Sequence, residues 1–263
     1  MRHACALASL RARRAAPVRF ATPTWYANGV STHEQQATVD TLDTQALIFD
    51  FDGLILETES SIFECVGEIY RAHGAELTLE IWERVIGGTG GQFDVYDHLE
   101  QLTGAVLDRD AIRAGIRERH REIVHGLPLQ EGVAEYVEEA KDLGLKLGVA
   151  SSSSREWVTG HLERFGLLRY FDVVRSGTDV SRTKPDPELY ASALELLNVN
   201  AHEAIALEDS PNGVRAAQAA GIFCVAVPNA ITCQLPLDHA NMRVSSLSEM
   251  PLSVLLRRRR LLH

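Results

Sequence analysis

The chain has 263 residues, 45% of them hydrophobic and 24% charged, with a formal net charge of −10. That is ordinary globular composition, and the length suits one large domain, or a domain with an insert, that buries its core without disulfide or metal staples. The negative balance excludes a broad positive field for nucleic acid, and no stretch of 18 or more apolar residues is present to span a membrane.

Residues 1–33 contain no acidic residue but carry Arg2, Arg11, Arg13, Arg14 and Arg19. This acid-free start is expected to belong to a disordered extension over residues 1–43, with an organelle transit peptide as the alternative. No apolar core of a secretory signal follows. The cysteines Cys5, Cys65, Cys224 and Cys233 form no CxxC pair and suit no zinc site, so reduced thiols and a cytoplasmic location are expected.

The first strong element is the apolar run Ala46 to Phe49, which reads as a buried strand ending at Asp50. Further strands are expected at Leu145 to Ala150, Phe171 to Val174, Ala204 to Leu207 and Ile222 to Val227. Helical patterns lie between them, at Gly132 to Leu143, Arg155 to Phe165, Pro187 to Leu197 and Pro211 to Ala220. Alternating strands and helices predict an α/β fold with a Rossmann-like parallel sheet. Residues 62–128 break the rhythm with helical stripes alone, and predict an inserted α-helical cap. The core then comprises residues 44–61 and 129–245. Residues 246–263 form a C-terminal helix and basic tail, in which Arg257 to Arg260 are expected to be solvated.

Ligands in such sheets bind at the carboxyl ends of the strands, so the residues following each strand carry the functional signal. Asp50 and Asp52 are two apart, project together in an extended chain, and repel unless a cation lies between them or one holds a proton. Mg²⁺, with its preference for oxygen ligands and phosphate substrates, fits that need. Gly53 permits a sharp turn after the pair. Ser151 and Ser152, opening the Ser151–Ser154 run, offer hydroxyl and N–H groups to a phosphate. Lys184, in Lys184-Pro185-Asp186-Pro187, supplies positive charge from a stiff segment. Glu208 and Asp209 end a strand just before Ser210, a good N-cap, and Pro211, a good first helical residue; both acids are candidate metal ligands, with complementation of the helix dipole as the alternative.

These four segments, in this order, resemble the four motifs of the haloacid dehalogenase-like superfamily, and most closely its phosphatases and phosphoglucomutase-like enzymes. The resemblance spans about residues 45 to 230. It implies that Asp50 is the nucleophile, forming an aspartyl-phosphate, and that Asp52 is the general acid–base. It implies that Ser151, with the Ser152 backbone, holds the phosphoryl group and that Lys184 balances the charge. It assigns Mg²⁺ to Asp50, Asp209, Glu208 and the main-chain carbonyl of Asp52. The sequence departs from the family at Leu54, where Thr or Val is frequent, and at Glu57, where Asp is usual.

The implied activity is Mg²⁺-dependent hydrolysis of a small phosphorylated metabolite: a sugar phosphate, glycolate phosphate or nucleoside monophosphate. A phosphomutase on the same core is the first alternative. It requires a histidine and an arginine in the cap, where a gap-free placement puts Ile62 and Gly90. A non-catalytic phosphate binder is the second, and it predicts erosion of Asp50, Asp52 or Lys184, all of which are present. The Gly87-Gly88-Thr89-Gly90-Gly91 loop lacks GxGxxG spacing and follows a helix, so it does not predict dinucleotide binding. Arg84 and Gln92 are the candidate substrate contacts from the cap. Trp82, Phe93 and Tyr96 are expected in the cap core, and His98, His120 and His125 in surface or capping roles.

Overall fold

The computed structural model describes residues 44–86 and 93–262. The extension over residues 1–43, Cys5, the glycine loop, Gly90 and Gln92 all lie outside the described residues.

Strands β1 (Ala46–Phe49), β2 (Lys146–Ala150), β3 (Val173–Arg175), β4 (Ala204–Glu208), β5 (Phe223–Ala226) and β6 (Met242–Arg243) form one sheet. All pairings are parallel, in the order β3-β2-β1-β4-β5-β6. This is a doubly wound α/β sheet, as the alternating pattern predicts. Strand β6, two residues long, was not expected, because so short a segment has no periodicity to detect.

The two faces of the sheet differ in side-chain size. Leu47, Phe49, Leu147, Val149, Ile205, Leu207 and Val225 point into one core, against α5 (Val133–Asp142), α6 (Arg155–Arg164) and α9 (Leu252–Arg260). Ala46, Ala150, Ala204, Ala206, Cys224 and Ala226 point to the other face, with Ile48 among them. Helices α7 (Glu188–Leu197) and α8 (Pro211–Ala219) pack there on small residues, so they approach closely. At Gly148 an added Cβ would come within 3.0 Å of Leu197 Cδ1.

Between β1 and α5 the described residues form four helices: α1 (Glu59–Ala72), α2 (Leu79–Ile86), α3 (Val95–Thr103) and α4 (Arg109–His125). They enclose their own apolar cluster of Cys65, Val66, Tyr70, Trp82, Leu99 and Ile116, against which Phe93 and Tyr96 pack. Helix α1 starts at Glu59, upstream of the expected cap boundary at 62, and His73 and Gly74 (φ +75°) end it. The described part of this insert contains no strand.

The C-terminal arginine run corrects one expectation. It ends α9, and Arg259 is 2% exposed. Its guanidinium donates to Thr44 Oγ1 and to the carbonyl of His202. Arg258, in contrast, is exposed. Helical spacing decides this: every side of a terminal helix cannot face solvent when one side covers the sheet. Arg259→Ala should therefore destabilise the fold by about 2–3 kcal/mol, whereas Arg258→Ala should stay within about 0.5 kcal/mol. Chemical denaturation of the two variants checks the contrast.

Candidate active site

The strand order reverses between β1 and β4, and the crevice beyond their carboxyl ends is where such sheets bind ligands. Asp50 leaves β1 at that point, and Glu208-Asp209 leave β4 beside it. All three carboxylates are buried, and one oxygen from each lies within 4.8 Å of the others. Lys184 is their counter-charge. Its Nζ donates to Asp50 Oδ1 and, at 2.6 Å, to Glu208 Oε1. Tyr190 from α7 donates to the same Glu208 oxygen at 2.6 Å.

Three buried carboxylates around one ammonium leave an excess of negative charge. Burial raises Asp50 well above the ordinary carboxylate range; Lys184 opposes the rise, while Glu208 and Asp52 add to it. Burial likewise raises Asp209, reinforced by Asp50, Glu59 and Glu208. Burial alone would lower the Lys184 ammonium, but Asp50 and Glu208 outweigh it and hold it above its usual value. A divalent cation fits this donor set: buried, oxygen-only and under-neutralised.

Two glycines make the close approach possible. At Gly53 (φ +84°) a Cβ would lie 2.1 Å from Asp209 Oδ2, and at Gly213 one would lie 1.9 Å from Glu208 Oε2. Asn229 donates to Asp209 Oδ2 at 2.7 Å and to the Gly53 carbonyl at 3.3 Å, tying the turn after β1 to the end of β4.

Asp52 occupies a different environment. Its carboxylate accepts from Ser153 Oγ at 2.6 Å, Ser151 Oγ at 3.3 Å, Thr58 Oγ1 at 3.1 Å and Trp157 Nε1 at 3.0 Å. Four neutral donors thus surround the Asp52 carboxylate, whereas Asp50 lies against Lys184. Ser151 is buried and also accepts from the Ser153 N–H at 3.0 Å. Ser152 is exposed, and its carbonyl packs against Gly177, where a Cβ would meet it at 2.2 Å. Ser154, last of the run, caps α6.

Leu54 is buried, and Glu57 accepts from the Ser60 N–H at 3.0 Å, so both departures from the family pattern are accommodated. Arg84 is exposed and stacks on Phe93, with its guanidinium carbon 3.9 Å from the ring centre. Asn212 of α8 donates to the Ile86 carbonyl at 3.0 Å, which brings the end of α2 to the rim of the site.

Several site residues had no sequence signal. Glu59, at the start of α1, is raised to about 7 by burial and by the charges of Asp52 and Glu57. His120 of α4 stacks on Trp157 at 5.4 Å and 18°, and does not take the surface or capping role expected of it. His161 meets the same indole edge-on at 4.4 Å and lies over Phe51. Trp157, His161 and Arg164 recur at i, i+4 and i+7, which places them on one face of α6 and is the only hint the sequence offered.

Residues 47–227 match the haloacid dehalogenase-like hydrolase family. The chain belongs to that family. The protein YhcW of Bacillus subtilis is 44% identical over 81% of this chain and 96% of its own length. The phosphorylated carbohydrates phosphatase of Thermotoga maritima is 32% identical over 68% of this chain and 82% of its own. The crystal structure of CbbY from Rhodobacter sphaeroides, in complex with phosphate, superposes with a TM-score of 0.61 at 29% identity, covering 78% of this chain and 96% of that one. Hydrolases of this family generally use a divalent metal, and the acid cluster suits one. Among the described residues no helix is long and apolar enough to cross a membrane.

Two outcomes are expected. In EDTA, Asp209→Asn should melt above wild type, because one crowded charge is removed. Wild type alone should gain stability from added divalent cation, about 2.7 kcal/mol at 100 times the dissociation constant. Thermal melts with and without metal check both.

A further expectation concerns His161, lowered to about 4 by burial and by the nearby Arg164 charge. A depressed histidine contributes stability that is fully present above about pH 6.5 and lost as pH falls toward 4. Relative to His161→Phe, wild type should lose roughly 1–2 kcal/mol between pH 7 and pH 4.5, after discounting for solvent screening. Denaturation at the two pH values measures it.

Proposed function

We propose that the protein is a Mg²⁺-dependent phosphatase that hydrolyses a small phosphorylated metabolite through an aspartyl-phosphate on Asp50. The observation that carries this reading is the separation of two neighbouring aspartates into unlike environments. Asp50 sits against a buried ammonium and two further acids, and Asp52 sits among hydroxyls and an indole N–H. One is suited to bonding with phosphorus and the other to handling protons.

In this reading, an Asp50 oxygen bonds to phosphorus as the ester P–O bond breaks. Asp52 gives its proton to the departing oxygen, and then takes one from the water that cleaves the acyl phosphate and regenerates Asp50. Lys184 holds the Asp50 carboxylate in place and offsets its charge. Ser151, at the end of β2, faces the same crevice and would hold the phosphoryl group with the Ser152 backbone. A bound Mg²⁺, held by Asp50, Asp209, Glu208 and the Asp52 carbonyl, would supply positive charge to the phosphoryl oxygens. In the structure Glu208 Oε1 accepts from both Lys184 and Tyr190, which hold the carboxylate in the cluster.

The relatives support a phosphate ester as substrate, and the Thermotoga maritima enzyme is named for phosphorylated carbohydrates. Sugar phosphates are accordingly the first substrate class to test. Water, and not a second sugar, is the proposed acceptor. Ile62 packs its apolar side chain against the insert cluster and brings no phosphate-binding group where a mutase needs a histidine. Arg84, stacked on Phe93 at the end of α2, remains the proposed substrate contact from the insert, which would act as a cap.

Phosphate release from p-nitrophenyl phosphate and a panel of sugar phosphates, in Mg²⁺ or EDTA, tests the proposal. Release should require metal and fall by at least about 1,000-fold in Asp50→Asn. Undiminished release by that variant would overturn the assignment of the nucleophile.

A further inference from the structure

The donors gathered on Asp52 are not equivalent. Three are hydroxyls, which rotate and can either donate or accept. The fourth, the Trp157 indole N–H, donates only, and its direction is fixed by the ring plane. It meets Asp52 Oδ1 at 3.0 Å.

The ring itself is clamped. His120, from α4 of the insert, lies nearly parallel to one face at 5.4 Å. His161, one turn along α6, abuts the ring at 4.4 Å and 77°. His120 Nε2 also lies 3.3 Å from the Thr58 carbonyl, beside the hydroxyl that donates to Asp52. At the far end of the same α6 face, Arg164 bonds the carbonyls of Val124 and Leu127, fixing the exit from α4. An indole so restrained has little freedom to swing.

We propose that Trp157 is a positioning residue that sets the direction of the Asp52 carboxyl for proton transfer to the leaving oxygen. The inference rests on the reading of Asp52 as general acid–base. In the step concerned, the P–O bond to the leaving group breaks while the bond from Asp50 to phosphorus forms. The electron pair of the broken bond stays on the departing oxygen, and the Asp52 proton joins it, leaving Asp52 ionised. An alkoxide needs that proton; p-nitrophenolate does not, because it is stable as an anion. Misdirecting Asp52 therefore slows alkyl esters selectively.

The test compares kcat/KM, which covers events up to leaving-group departure, for p-nitrophenyl phosphate and for an alkyl or sugar phosphate. Trp157→Phe keeps an aromatic ring against the two histidines and removes the N–H. It should lose about tenfold or more on the alkyl ester, as expected for a hydrogen bond to an ionisable group, while staying within about twofold on p-nitrophenyl phosphate. His120→Ala loosens the clamp without touching Asp52, should show the same pattern more weakly, and carries the test if Trp157→Phe fails to fold. Equal losses on both esters, or no loss on either, in the folded variants would overturn the positioning role. Asp52→Asn separates the two levels of the argument. If it too spares p-nitrophenyl phosphate and loses the alkyl ester, the reading of Asp52 stands whatever Trp157 does. If it turns over the alkyl ester like wild type, that reading fails and the inference falls with it.

Discussion

One buried ammonium surrounded by three buried carboxylates is the constraint on which the site depends. Lys184 cannot neutralise Asp50, Glu208 and Asp209 together, and burial makes each surplus charge costly. The fold nevertheless assembles the cluster because the acids sit at the carboxyl ends of β1 and β4, adjacent strands whose buried residues leave no slack in register. Glycine at 53 and 213 lets backbone and carboxylate approach where any Cβ would collide. A cluster held in this way is incomplete until more positive charge arrives. That is the physical sense in which the acid cluster suits a divalent cation.

Two aspartates separated by a single residue could have been redundant. They are not, because β1 ends at Phe49, just before the pair: Asp50 stays with Glu208 and Asp209, while Asp52, next to the turn at Gly53, meets the serine loop and α6. Chemistry that needs both a nucleophile and a proton carrier gains from this difference in environment more than from any single distance. The insert contributes here as well, since His120 reaches the same indole that holds Asp52.

The sheet and the core of the site were legible because both are encoded locally. Short apolar runs ending in polar residues mark parallel strands, and Asp50, Lys184, Glu208 and Asp209 follow or face those ends. What was illegible depends on contacts between distant segments. Trp157 and His120 come together only once α6 and α4 pack, and neither residue type announces a partner. Arg259 looked like part of a solvated run because four consecutive arginines hide the helical phase that buries one of them. Glu59 carried no signal in the sequence, and its raised pKa arises from burial and from the charges of Asp52 and Glu57, which only the assembled site supplies. Strand β6 is too short to carry a pattern, and it forms because β5 offers it an edge.

The most direct test of the account is the covalent state of Asp50 during turnover. The protein would be mixed with Mg²⁺ and a phosphate ester, quenched in acid within milliseconds, and its peptides mapped by mass. The account predicts one added phosphoryl group on the peptide bearing Asp50, absent when EDTA replaces the metal. Steady phosphate release with that peptide unmodified at every quench time, or with the phosphoryl group on another residue, would contradict it.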